Sequence, residues 1–245
     1  MKAISSKINS YVKSEKLQHL GNTLRYSLYV ITHPLDGFWD LTHEKRGSVG
    51  AAHIIILMAL ITKVAKLQFT SFIFIKVIWE HVNLIEIILG FLAPIIIGCV
   101  ANWGLTTLFD GKGTMKDVYM ALGYSLTPYV LIQFPMIFIS NLMTVQEGAF
   151  YYFLNSFSTL WCAILIMSAM MMIHDYSLTK AFITMFATII GMMLIVFVLL
   201  LLMWAGVPAM LFGDAFIVNP TTIFSQLFHS LLLKSTKFYS IKHSS

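Results

Sequence analysis

Apolar residues run through this chain in five long blocks, at about 49–67, 84–107, 118–141, 149–173 and 181–206. Short polar connectors divide several of them: Asp110-Gly111-Lys112-Gly113, Gln146-Glu147-Gly148 and His174-Asp175-Tyr176-Ser177. A hydrocarbon core about 30 Å thick needs roughly 20 residues of helix, and each block meets that length to within a residue or two. Backbone groups in lipid must be paired inside their own segment, so the pattern predicts five membrane-spanning helices. The expected fold class is all-α: a polytopic helical bundle over 48–206, preceded by a cytoplasmic amphipathic region (1–47) and followed by a tail (207–245).

The flanks carry weaker periodicities. Leu17, Leu20, Leu24, Leu28 and Ile31 recur at helical spacing, with Lys13, Lys16 and Arg25 off that line. This predicts a helix docked on the membrane surface and ended by His33-Pro34, because the residue before proline avoids the α region. In the tail, Asn219 suits an N-cap and Pro220 the first helical position. Ile223, Phe224, Leu227, Phe228, Leu231 and Leu232 then predict an interfacial helix, or the same stripe packed on a partner's span. Lys234, Lys237 and Lys242 favour a sixth crossing through 207–233, whereas Asp214 and Asn219-Pro220 interrupt it, and five spans are the expectation. The 68–83 connector, rich in Phe, Ile and Val with Trp79, predicts strand or interfacial contact.

Composition excludes a soluble domain: hydrophobic residues are 58% of the chain and charged ones 11%, against about 25% charged in soluble proteins. The net charge of +5 sits beside the spans, which points to topology signals and anionic lipid and away from nucleic acid. Lys2, Lys7, Lys13, Lys16, Arg25, Lys45 and Arg46 place the N-terminal region in the cytoplasm. Lys112, Lys116 and Lys180 then fall on the same side, and the Thr144–Gly148 connector, without a basic residue, falls outside. Lys63 and Lys66 come at the outer end of the first span, where their stems would snorkel. Trp39, Trp79, Tyr119, Tyr151, Tyr152 and Trp204 are expected at the interfaces. The first span is read as an uncleaved insertion signal.

Candidate chemistry is sparse. Ionisable groups inside a bilayer are usually functional, and the middles of the five blocks have none, which argues against an ion-coupled pump. Asn102, Thr106, Thr107, Thr127, Gln133, Asn155, Ser158 and Thr184 lie at depth and are expected to hydrogen-bond between helices, at about 0.6 kcal/mol each. Ala187 and Gly191 would allow two helices a close approach. Cys99 and Cys162 fall in spans and are read as small apolar residues. The histidines show no zinc spacing. Asp110-Gly111-Lys112-Gly113 lacks the phosphate-loop pattern and is read as a tight turn. His174-Asp175 are too close in sequence to face each other as base and carboxylate. No catalytic residue, metal or cofactor is expected. The third block is the most unusual, with Gly123-Tyr124-Ser125-Leu126-Thr127-Pro128 and then Pro135. Pro128 releases the Tyr124 carbonyl and Pro135 the Leu131 carbonyl. A neighbouring helix or a hydroxyl such as Thr127 must satisfy them. The block is either a kinked hinge or groove, or a static bend that shapes the bundle.

Four stretches carry a family resemblance: HPLDGFWDLTHEKRGS (33–48), ANWGLTTLFDGKGTMKDVYMALGYSLTPYVL (101–131), NLMTVQEGAF (141–150) and HDYSLTKAF (174–182). In order and spacing the chain resembles the Yip1-domain membrane proteins, particularly their bacterial branch, from about residue 33 to about residue 206. The resemblance implies a five-span bundle with a cytoplasmic N-terminus and no catalytic residues. Eukaryotic members of that family are trafficking factors that interact with Rab-type GTPases and with each other; in a bacterial chain the GTPase does not carry over. The expectation is a non-enzymatic adaptor of the bacterial cell membrane. Its partner-binding candidates are Trp39, Asp110, Gly111, Gly113, His174 and Asp175, and its kink and packing residues are Asn102, Gly123, Tyr124, Pro128 and Pro135. Expected partners are membrane lipid and other integral membrane proteins, including self-association, with a small GTPase only in a eukaryotic-like setting and no nucleic acid. The alternative is an accessory subunit of a transporter such as a bacterial ABC importer, seated against its permease.

Overall fold

The computed structural model describes residues 18, 20–75, 82–106 and 108–212, with backbone alone from 205 onward. Contacts divide the chain into two units, Met1–Met193 and Leu194–Ser245. Eight α-helices are described: α1 (20–32), α2 (Pro34–His43), α3 (Val49–Phe69), α4 (Leu84–Thr106), α5 (Met115–Ser125), α6 (Thr127–Ile139), α7 (Gly148–His174) and α8 (Leu178–Phe212). No strand occurs among the described residues. Five stretches are long and apolar enough to cross a membrane: Val49–Phe69, Leu84–Thr106, Met115–Ile139, Val145–His174 and Leu178–Trp204. The expected spans are therefore found within a few residues, and the third is built from α5 and α6 in series.

Local chemistry sets the boundaries. Pro34 opens α2, as His33-Pro34 predicted. The Ser48 hydroxyl caps α3 by accepting from Ala51 N–H at 3.0 Å. Thr114 and Asp117 form a reciprocal capping box at the start of α5, and Thr144 with Glu147 forms another before α7. At the other end of α7, Asp175 takes a left-handed conformation, φ 53°. That conformation ends a helix, and Asp tolerates it better than most residues.

The first unit is organised around α1, α2, α3, α5 and α7. Val30, Phe38 and Leu41 from the N-terminal helices are fully buried with Ala51, Ala52 and Ile55 of α3, Ala121 and Tyr124 of α5, and Leu165, Ala169 and Ile173 of α7. The N-terminal segment thus packs into the bundle through these residues. Its buried line is also rotated from the leucine stripe: Thr23, Ser27 and Val30 face inward while Leu28 is exposed. The Thr23 and Ser27 hydroxyls donate to the Leu20 and Leu24 carbonyls, so they enter the core without an unpaired polar atom. Periodicity of leucine alone could not register that. Tyr26 donates from its hydroxyl to the Gly37 carbonyl at 2.9 Å and ties α1 to α2. Burial, reinforced by the Asp40 carboxylate, pushes that phenol above its ordinary pKa and keeps it a donor.

The third span breaks at Leu126. Pro128 sits in the first turn of α6, and the Tyr124 carbonyl it would have blocked accepts instead from the Thr127 hydroxyl at 2.7 Å. Pro135 lies inside α6. Gly123 makes the break possible at close quarters, because a Cβ there would lie 2.7 Å from Ala52 Cβ. Gly191 faces Ala101 and Leu105 of α4, so the small residue is where α8 meets its neighbour.

Two further expectations change. Residues 71–75 form a turn, with Phe74 and Ile75 N–H donating to the Ser71 carbonyl, so a strand reading of the 68–83 connector fails there. Tyr151, expected at an interface, is buried and stacks on Phe74 at 4.6 Å between centroids. Trp79, Thr107, Lys2 to Lys16 and the whole predicted tail helix at 219–232 lie outside the described residues.

Candidate functional site

The six partner-binding candidates singled out by sequence lie at the bundle end that carries α1 and α2. The 108–114 turn leaves α4 with Asp110 in a left-handed conformation, φ 52°, and its Gly111 N–H returns to the Thr106 carbonyl at 2.9 Å. Glycines come next because the turn lies flat on the end of α7. A Cβ on Gly111 would lie 2.5 Å from the Tyr176 hydroxyl and 2.8 Å from His174 Nδ1; one on Gly113 would fall on Ile173 Cγ2. The pair is a requirement of close approach, beyond that of a tight turn.

His174 is the hub of this end. It is 2% exposed, and its Nδ1 accepts from Gly113 N–H at 3.1 Å. A backbone N–H can only donate, so Nδ1 is the acceptor, the ring is neutral and Nε2 carries the hydrogen. Nε2 then donates to Asn102 Oδ1 at 3.0 Å, which fixes the amide. Asn102 Nδ2 donates to Thr188 Oγ1 at 3.2 Å, and Thr188 donates to the Thr184 carbonyl at 2.7 Å. Four bonds in one direction join the turn to α7, α4 and α8. Beside them, Lys112 pairs with Asp175 at 2.9 Å. That hydrogen bond holds the Asp175 carboxyl below its ordinary pKa, and His43 of α2 adds to the effect.

Trp39 is the outward-facing member of this end. It is 43% exposed and stacks on His43, with ring centroids 3.5 Å apart. Arg46 pairs with Asp40 at 3.2 Å and Glu44 at 2.7 Å on the same segment. Tyr124, fully buried, locks the segment beneath: its hydroxyl accepts from Ser48 N–H at 3.3 Å and donates to the Thr23 carbonyl at 3.4 Å. His174 and Asp175 do not act as base and orienter. One faces inward to Gly113 and Asn102, and the other outward to Lys112.

Of the polar residues expected to bond between helices, Asn102, Gln133, Asn155 and Ser158 do so; Thr106, Thr127 and Thr184 donate to carbonyls three residues back on their own chain segment. Next to Asn102 and Thr188 lies a cavity of about 280 Å³, walled by residues such as Pro94, Gly98, Val118, Leu122, Met170 and Met192. Its polar border is the Asn102–Thr188 pair, whose atoms already bond each other. Small-molecule sites need convergent polar groups to orient a ligand, and this hollow has few.

A second cluster, at the opposite end, escaped the sequence reading. Lys66 does not snorkel away from the bundle. Its ammonium donates to Gln133 Oε1 at 2.9 Å and to Asn155 Oδ1, joining α3, α6 and α7. Lys66, Gln133 and Asn155 lie toward the same end of three spans, two parallel and one antiparallel, but the sequence does not say which of their faces meet.

A bundle of five such helices with these polar clusters at its two ends defines a multi-pass membrane protein. The Yip1 domain family model matches residues 28–200, more than half of the chain. The protein belongs to the Yip1 family. No curated protein and no solved structure matches it.

Proposed function

We propose that this Yip1-family protein is a non-enzymatic membrane adaptor, which recruits or organises partner proteins at the end formed by α1, α2 and the 108–114 and 174–177 turns. The observation that carries the reading is the interlock of that end. Tyr124, the His174 chain and the Lys112–Asp175 pair join its segments into one pre-organised surface, and pre-organisation lowers the entropic cost of association. Trp39 stands out from that surface, and exposed tryptophan is the residue type most enriched among binding hot spots.

Against catalysis, both nitrogens of the buried His174 are engaged, and its chain of bonds terminates on a backbone carbonyl. The basic residues support a cytoplasmic placement for this end, since Arg25, Lys45, Arg46, Lys112, Lys116 and Lys180 all lie on it or in its connectors. A bacterial cell membrane is the setting that fits the resemblance.

The test is purification of the tagged full chain in mild detergent, with mass spectrometry of co-purifying proteins, for wild type and Trp39→Ala. The adaptor reading expects a reproducible partner that is lost at least tenfold in Trp39→Ala while the melting temperature is unchanged. A partner retained equally by both forms, or none at all, sinks it. One observation favours the second reading, a transporter accessory subunit: Phe182, Ile183, Phe186, Ile190 and Met193 of α8 are more than half exposed. A permease that co-purifies independently of Trp39, and is lost in Phe186→Ala, would establish that reading instead.

A further inference from the structure

Where Lys66, Gln133 and Asn155 meet, hydrogen-bond donors outnumber acceptors. Gln133, 1% exposed, sets the arrangement. Its Nε2 donates to Asn155 Oδ1 at 2.8 Å and to Ser158 Oγ at 2.6 Å, so its Oε1 is turned toward the lysine. Asn155 Oδ1 receives both that amide and the Lys66 ammonium, which fixes the Asn155 amide too, since a flipped one would set NH₂ against NH₃⁺. Ser158 spends its own hydrogen on the Asn155 carbonyl at 2.8 Å.

An ammonium has three N–H donors and an amide two. Among the described residues the third Lys66 N–H and the Asn155 Nδ2 group have no acceptor, and no carboxylate pairs with Lys66. The Tyr151 ring, 5.9 Å from Nζ, is a weak substitute for a counter-charge. A cation inside a bundle without an opposite charge is costly. Among the described residues, what the cluster lacks is a negative charge that also accepts hydrogen bonds.

We propose that this cluster binds one phosphate oxyanion, through the Lys66 ammonium and the Asn155 amide. The site is reachable: Gln133 and Ser158 are buried, but Lys66 and Asn155 are only partly so. Lys66 lies three residues from the end of α3, about 4.5 Å along the axis, a distance its four-carbon stem spans. The phosphate can belong to an anionic lipid headgroup or come free from solution; the chemistry of recognition is the same. The proposal does not depend on which end faces the cytoplasm, nor on the adaptor reading.

The test uses the purified full chain in micelles of mixed phosphatidylglycerol and phosphatidylcholine, read by native mass spectrometry. Wild type and Lys66→Arg retain one phosphatidylglycerol with about tenfold preference, the scale of one charge-assisted contact at 1.4 kcal/mol. Lys66→Met and Asn155→Asp lose the preference, the latter because its carboxylate becomes an internal counter-ion. Should Lys66→Met not fold, Asn155→Asp still decides the matter, since it changes no volume. In lipid-stripped protein, inorganic phosphate is titrated against chloride at equal ionic strength. A rise in melting temperature for wild type alone assigns a soluble oxyanion, and retention of lipid without that rise assigns a headgroup. The proposal is overturned if wild type shows neither effect, or if folded Asn155→Asp shows both undiminished. Glu80, in the 76–81 stretch outside the described residues, supplies the remaining control: a gain of lipid retention in Glu80→Gln would assign the counter-charge to that carboxylate and overturn the proposal equally.

Discussion

Replacing His174 with alanine cuts two bonds at once, and the size of the effect separates two views of the bundle end. If these bonds behave as average interhelical hydrogen bonds in lipid, each contributes about 0.6 kcal/mol, and the loss is near 1 kcal/mol. The geometry argues for more. The Asn102 Oδ1 bond is buried, and an acceptor left there without a partner costs about 1–3 kcal/mol. Gly113 N–H is half-buried and adds roughly 1 kcal/mol. The imidazole also stacks on Tyr176, centroids 5.2 Å apart. The expected loss is about 2–4 kcal/mol, which for a chain of this size lowers the melting temperature by about 4–16 °C. His174→Gln should recover a good part of it, because its carbonyl can accept from Gly113 while its amide donates to Asn102. The assay is thermal unfolding of the detergent-purified protein, followed by near-ultraviolet circular dichroism. A double-mutant cycle with Asn102→Ala should give at least about 1 kcal/mol of coupling. A shift of less than about 3 °C for His174→Ala, or glutamine no better than alanine, would refute the reasoning.

Three further outcomes are expected. Gly123→Ala sets a methyl 2.7 Å from Ala52 Cβ, so α3 and α5 must part at a cost of about 1–3 kcal/mol; Gly90→Ala, with nothing within 4 Å, should be neutral or stabilising by up to about 1 kcal/mol, and paired melting curves compare them. Tyr124→Phe strands Ser48 N–H and should cost about 1 kcal/mol, with faster amide exchange at Ser48 as the local readout. Asp175→Asn should cost a fraction of a kcal/mol at neutral pH, as for an exposed pair. Because the Asp175 carboxyl is held below its ordinary 3.8, the pair contributes fully above that value. The contribution fades as pH falls through the lower folded value, so variant and wild type converge in acid and at high salt, as denaturation at several pH values would show.

The spans were legible because lipid leaves a long apolar run only one backbone solution, and the break in the third was legible from Pro128 for the same reason. The capping boxes Thr114–Asp117 and Thr144–Glu147 were readable in principle, as hydroxyl and carboxylate three residues apart. What could not be read was which face of each helix turns inward. The leucines of α1 look like a core stripe by water's rules, yet beside lipid an outward Leu28 carries no penalty, and Thr23 with Ser27 can be buried by bonding their own helix. Lys66 was misplaced because snorkelling assumes no better partner. That Gln133 and Asn155 offer one is a fact of three-dimensional register, set by α3, α6 and α7 meeting at one depth.

The two polar clusters differ in their accounts of donors and acceptors. Around His174 the chain closes: Gly113 N–H, the imidazole, the Asn102 amide and the Thr188 hydroxyl each hand on one bond, and the last falls on a carbonyl of α8. One Asn102 N–H is left over, with no acceptor among the described residues; the other bonds of the chain hold the turns at fixed positions. On the proposed adaptor reading, recognition at that end rests with the groups outside it, Trp39 foremost. His174→Gln, which keeps the turns in place, should therefore keep a partner that Trp39→Ala loses; co-purification yields compared at equal expression test this. If the glutamine form loses the partner while its melting temperature is restored, His174 itself makes the contact, and the division between a closed scaffold and an open surface fails.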